Sequence, residues 1–295
     1  MNDLMNLINS SEQTVPEIAY MARAFVQATL PHRAPAADLP VWSRVNGNLQ
    51  LSIRPGWDVK NNKSLGYPYG VIPRLLLFWI TTEALKTGSR RIELGRSLAS
   101  FMKSLGLNPS SGTGPRSDSY RLRQQMERLF RATISFDITI DNANGGLSSQ
   151  SWLDMQIAPV GEFWWNPRLA DESALFNSWV ELGEKFYDSI INNPVPLNME
   201  ALQALRNSPL ALDLYAWTSY KTYSLIRSNK HLNVSWNDLA MQLGSEYGRM
   251  IDFKRKIIQA LVRVQKVYDG MRISETDNGL LIKPGKLSVP LKLDF

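Results

Sequence analysis

The chain of 295 residues contains no cysteine, which removes disulfide scaffolds, cysteine-ligated zinc and thiol catalysis together and is compatible with a reducing cytoplasm. Histidine is almost as scarce. His32 and His231 are the whole supply, and neither has a neighbouring His/Asp/Glu cluster, so neither a metal nor another cofactor is expected. The same shortage argues against a strand-nicking enzyme, which needs a histidine pair beside a nucleophilic tyrosine. Long apolar runs are also missing: the richest, Val71 to Ile80, is broken by Arg74. Met1 to Leu7 carries no basic stretch and no apolar core, so a soluble, cytoplasmic chain with no membrane partner is expected. Gly112-Thr-Gly-Pro115 is not followed by Gly-Lys-Ser/Thr and reads as a turn, not a phosphate loop.

What is present fits an ordinary globular protein. Hydrophobic residues make up 44% and charged residues 20%, which excludes wholesale disorder, and the length accommodates two domains. A formal charge of +6 permits nucleic-acid binding without requiring it, so the placement of the charges decides more than their sum.

The most informative pattern is an internal repeat, in which Pro73 to Leu147 is echoed 136 residues later between Pro209 and Leu280. Each copy opens on a proline and an apolar helix, Pro73 to Thr87 and Leu210 to Leu225. A short extended stretch follows (Arg91 to Leu94; Leu232 to Ser235), then a small helix stopped by Gly106 or Gly244. A basic helix comes next, Arg116 to Thr133 and Ile251 to Tyr268, with apolar residues such as Leu122, Met126, Leu129 and Phe130 at helical spacing. Each copy closes with a hairpin, Ile134 to Ile157 around Asn142 to Gly146, and Met271 to Lys283 around Asp277-Asn-Gly279. Upstream, Thr14 to Glu17 fits a capping box for a helix over Pro16 to Thr29, and Asn46-Gly47 reads as the turn of a hairpin over Val41 to Ile53. A strand is expected around Trp179 to Phe186.

Helix, strand, helix, helix, hairpin is the order of a winged helix-turn-helix. The expectation is an α+β, mainly helical chain of two tandem winged-helix domains with an N-terminal helix and β-hairpin. Residues 1–65 form the N-terminal extension, 66–165 the first winged-helix domain, 166–197 a connecting segment and 198–295 the second winged-helix domain.

The candidate DNA-binding residues lie on the basic helices. Arg121, Gln124, Arg128 and Arg131 recur at i, i+3, i+7 and i+10, with Arg116 and Arg123 near the start. In the second copy Arg255, Lys256, Gln259, Arg263 and Lys266 form the outer face, with Arg249 and Lys254 at its N-terminal end. Arginine pairs bidentately with guanine, glutamine with adenine, and lysine neutralises phosphate. The second helix is expected to carry most of the specificity, because Arg249 to Lys266 has six basic residues against one acid and Arg116 to Arg131 has five against two. The aromatic residues Phe78, Trp79, Tyr215 and Trp217 read as core, and Asp137 with Asp141 as an exposed strand face and not a catalytic pair.

Several stretches resemble the plasmid RepA-type replication initiators: Gly66 to Trp79, Thr82 to Arg90, Leu94 to Leu98, Phe101 to Leu107, Gln125 to Phe130, Phe163 to Pro167, Val195 to Leu197 and Ser208 to Trp217. The resemblance runs from Gly66 to about Leu261. It implies a non-enzymatic protein that binds double-stranded DNA at a plasmid origin and recruits host replication proteins. It also implies a homodimer as one form of the chain. A transcriptional regulator of the same architecture is the alternative.

Overall fold

The computed structural model describes residues 17–95, 97–112, 114–140, 148–163, 178–244 and 247–290. The expected turn over 142–146, together with Asp141, Thr14 and most of the 163–167 motif, lies outside the described residues. The chain begins with strand β1 (Ile18–Ala22) and one helical turn, α1 (Arg23–Gln27). This corrects the helix expected over Pro16 to Thr29. Short apolar segments suit either period, and here pairing across the chain decides: β1 lies antiparallel to a strand near residue 196, with Ile18 opposite Asn198. The amide of Tyr20 also donates to Thr82 Oγ1 at 2.9 Å.

The hairpin β2 (Trp42–Asn46) and β3 (Leu49–Arg54) forms where Asn46-Gly47 places it, with Gly47 at φ +56°, a conformation that favours glycine. A small hairpin, β4 (Trp57–Asp58) with β5 (Lys63–Ser64), leads to helix α2 (Val71–Thr87). Then come β6 (Arg91–Glu93), α3 (Leu98–Ser104), capped by the Ser97 side chain, and α4 (Asp118–Arg131), capped by Ser117. Strands β7 (Thr133–Ile140) and β8 (Ser149–Met155) extend the first hairpin into a sheet of order β2-β3-β7-β8, with Leu51 opposite Phe136. Strands β9 (Val160–Glu162) and β10 (Trp179–Glu181) precede α5 (Glu184–Asn192). The strand expected to reach Phe186 therefore ends at Glu181. Phe186 sits on the helix, fully buried and edge-on to Phe25.

The second half contains β11 (Pro194–Asn198), α6 (Met199–Leu205), α7 (Pro209–Ser228), β12 (Leu232–Ser235), α8 (Trp236–Leu243), α9 (Met250–Gln265), β13 (Ile273–Thr276) and β14 (Gly279–Ile282). Here the three strands form one sheet, β12-β14-β13, packed so closely that a Cβ on Gly279 would lie 1.9 Å from the Val234 carbonyl. The first copy differs. Its β6 does not join the β7–β8 hairpin but pairs with β10, and the place beside β7 is taken by β3. At 41% helix and 24% strand among the described residues the fold is mixed α and β, which corrects the mainly helical expectation. No helix among the described residues is long and apolar enough to cross a membrane.

A single hydrophobic core runs through both copies, from Ala19 to Ile282. The opening helices α2 and α7 are buried on nearly all sides, and each carries one charge into the interior: Arg74 is 2% exposed and Asp213 6%. These two meet. Arg74 Nε donates to Asp213 Oδ1 and Nη2 to Oδ2, both at 2.7 Å, and the remaining guanidinium donors reach the carbonyls of Leu30, Pro31 and Gly70. His32 Nε2 lies 2.8 Å from Asp213 Oδ2. Burial would raise the Asp213 carboxyl, but the Arg74 charge and the hydrogen bonds from His32 and Arg74 outweigh it and hold the group ionised, well below the usual carboxylate range. Burial pushes His32 down to about 4, so the neutral imidazole donates from Nε2.

Removing one partner strands the other charge in the core. Arg74→Met should cost about 3–5 kcal/mol in urea unfolding at pH 7, and the double variant Arg74→Met/Asp213→Leu should recover most of it. A single variant within about 1 kcal/mol of the parent would contradict this account. Acid acts on the same cluster. Between pH 6.5 and about 4 the unfolded chain binds a proton at His32 that the folded chain refuses, so its contribution is complete above pH 6.5 and lost as pH falls towards 4. The expected loss is about 3 kcal/mol across that window, and it should be absent in His32→Gln.

Candidate nucleic-acid interface

Two helices carry the candidate residues, and each is fixed by the opening helix of its own copy: α4 packs on α2, and α9 on α7 and α8. In both, the apolar stripe faces inward, with Leu122, Met126, Leu129 and Phe130 buried in α4 and Phe253, Ile257, Ala260, Leu261 and Val264 in α9. Most of the polar residues then face outward; Gln125 of α4 is buried and accepts from the Tyr69 amide at 2.9 Å.

On α4 much of the charge is turned back onto the protein. Arg128 Nε donates to the Leu65 carbonyl at 2.9 Å, its guanidinium lies 5.4 Å from the Tyr69 ring centroid, and a Cβ added at Gly66 would lie 3.5 Å from its Nε. Arg131 Nη2 donates to the Trp57 carbonyl at 2.8 Å. Both therefore hold the segment between the first hairpin and α2. Arg121 pairs with Asp118 at 3.3 Å and Arg123 with Glu127 at 3.2 Å, while the Gln124 amide donates to the Tyr120 hydroxyl. Arg116 is exposed in the loop before the helix.

On α9 the outward face is more open. Arg255, Lys256, Gln259, Arg263 and Lys266 are all exposed and share one side of the helix. Lys256 Nζ donates to Gln259 Oε1 at 3.4 Å. Lys254 lies apart, over the Trp236 ring of α8 at 5.2 Å. Asp252, the one acid, accepts from Arg249 at 2.8 Å and from Arg255 at 3.1 Å, and the Arg249 hydrogen bond holds its carboxyl below the usual range. One carboxylate thus orients two guanidinium groups at the N-terminal end of the helix. Beside this face runs an apolar edge in which Ile251 is 70% and Val262 49% exposed.

Sequence reasoning missed the buried Arg74–Asp213 pair that joins the helices behind these faces, and it missed Arg33, whose guanidinium lies 5.8 Å from the Tyr247 ring centroid just before α9. A signal for the pair was present, since the apolar first half of the opening helix of each copy is interrupted by one charge, of opposite sign in the two copies. Arg33 gave none. Arg128 and Arg131 differ from the other candidates in their contacts, since both donate to backbone carbonyls of the segment before α2. Arg128→Met should lower stability by about 2 kcal/mol, through the lost charged hydrogen bond and ring contact, while leaving the salt dependence of duplex binding at the parent value. A slope reduced by about one unit, with unchanged stability, would assign Arg128 to phosphate instead.

The comparisons with known proteins bear on most of the chain. A family profile described as plasmid encoded RepA protein matches residues 67–238, more than half the sequence. No curated protein sequence matches. Among solved structures, the crystal structure of domains 2 and 3 of RctB superposes with a TM-score of 0.51 at 10% identity, covering 88% of this chain and 96% of that one. A second crystal structure of the same RctB domains gives 0.48 at 13% identity, with the same coverage of 88% and 96%. The first match indicates a shared fold. The family match takes in α4 and ends before α9, and because it spans more than half of the sequence the chain belongs to the family of plasmid-encoded RepA proteins.

Proposed function

We propose that the chain initiates plasmid replication by binding double-stranded DNA at the plasmid origin, opening it and recruiting host replication proteins. The observation that carries this reading is the α9 face: Arg255, Lys256, Gln259, Arg263 and Lys266 exposed together. The helix belongs to a helix, strand, helix, helix, hairpin unit whose three strands form the sheet β12-β14-β13. In that unit α9 is the recognition helix of a winged helix-turn-helix, α8 the helix that crosses the backbone, and the β13–β14 hairpin the wing. The α4 unit is the second DNA-binding element. Its wing sheet is extended by β2 and β3, and more of its basic residues are engaged within the protein, so α9 carries most of the base recognition.

No catalytic step is assigned. Among the described residues no group of three or more His, Cys, Asp or Glu side chains is placed to hold a metal ion. The proposed work is binding: arginine and glutamine read base edges, lysine neutralises phosphate, and host proteins act on the opened duplex.

The test is a gel-shift titration on DNA flanking the protein's own gene, with excess nonspecific competitor, followed by replication from the bound element in cells. Competitor-resistant binding to one element is expected, with a log-log salt slope of about −0.9 for each phosphate neutralised. The double reversal Arg255→Glu/Arg263→Glu should weaken it on the order of 50-fold or more at 0.1 M salt. Binding equal on all sequences would sink the origin reading. Specific binding without replication from the element would turn the proposal into a transcriptional regulator. If the reversal leaves binding intact while changes at Arg116 and Arg121 abolish it, the ranking of the two helices is wrong.

A further inference from the structure

A cleft of about 250 Å3 opens between the flank of α9, the start of α7 and the segment that follows α1. Three cations converge on it, Arg33 from the N-terminal segment and Lys256 and Arg263 from α9, with Gln259 between the two helical ones. None of the described residues lining it is acidic. Asp213, which contacts the lining residue His32, has its charge taken up by Arg74. A concave wall concentrates the field of the cations that line it. Arg33 is tethered at this place by the Tyr247 ring, itself part of the wall.

A phosphate entering the cleft would lie among all three cations. The volume accommodates a phosphate group with the waters around it, at roughly 30 Å3 for each water. Lys256, Gln259 and Arg263 belong both to this cleft and to the outward face of α9. A duplex seated on that face would run its backbone along the helix flank, so a bound phosphate and the base contacts would belong to one ligand.

We propose that this cleft holds a backbone phosphate of the duplex engaged by α9, with Arg33 as a contact supplied from more than 200 residues away in sequence. The inference rests on the DNA-binding reading above and adds to it a phosphate site outside the two basic helices. Arg33 contributes affinity and position, not sequence preference, because phosphate oxygens carry no base information.

The experiment measures duplex binding by fluorescence anisotropy across a salt series, for the parent chain, Arg33→Gln and Arg33→Lys, on the preferred element and on unrelated DNA. Arg33→Gln should reduce the magnitude of the salt slope by about one unit and weaken binding about fivefold at 0.15 M salt, equally on both DNAs. Arg33→Lys should restore the slope. Thermal melts of the variants separate this from misfolding, since a phosphate contact leaves the melting temperature of the free protein unchanged. An unchanged slope and affinity in Arg33→Gln, with a steeply salt-dependent parent, overturns the cleft proposal and spares the function. A parent that binds no duplex overturns both. Inorganic phosphate at constant ionic strength forms the last arm. Tight phosphate binding lost in Arg33→Gln, without competition against duplex, would make this a small-anion site and overturn the assignment to DNA.

Discussion

The arrangement of the molecule depends on one buried ion pair. Arg74 and Asp213 stand on the opening helices of the two repeat copies, and both of their charges are nearly enclosed. Taking such a pair out of water costs several kcal/mol per ion, so its contribution to net stability is small, and hydrophobic residues of equal volume would serve as well. What it supplies is register. A bidentate guanidinium–carboxylate contact has one good geometry, and the three carbonyls of Leu30, Pro31 and Gly70 occupy the remaining donors. A shift of either helix would leave charged groups unsatisfied in the core. An apolar contact between the same helices would tolerate it.

That register reaches the surface through short mechanical paths. Helix α4 rests on α2, and α9 rests on α7, so the relation between the two basic faces is the relation between the helices that the ion pair locks. The N-terminal segment reinforces it. Arg44, buried on β2, donates to Thr29 and to the carbonyl of Gln242 on α8, and the Gln242 side chain donates to the carbonyl of Gln27. Residues 27–44 thus form a polar joint between the first sheet and the second helical unit. This joint fixes the first sheet relative to the second helical unit, and with it the separation of the two basic faces.

The two copies have diverged in how they use the same elements. In the second, the strand between the first and second helices closes onto the hairpin, as the repeat pattern implies. In the first, that strand is drawn away to β10, the hairpin accepts β3 instead, and Arg128 and Arg131 are spent on holding the connection to α2. A difference of one basic residue in sequence becomes a larger difference in what each helix presents to solvent.

The sequence by itself determined the helices of the two repeat copies and the hairpin at Asn46-Gly47, because periodicity and the Asn-Gly turn act within a few residues of one another. It also placed the outward faces of α4 and α9, since an amphipathic helix has only one way to bury its apolar stripe. Tertiary structure decided the rest. Ile18–Ala22 is a strand because a partner 176 residues away supplies its hydrogen bonds, which no local pattern records. Arg74 and Asp213 meet, Arg128 turns inward and Arg33 arrives beside Lys256 and Arg263 for the same reason. Each depends on which distant segments the single core brings together, and contacts of that range are set by packing the whole chain.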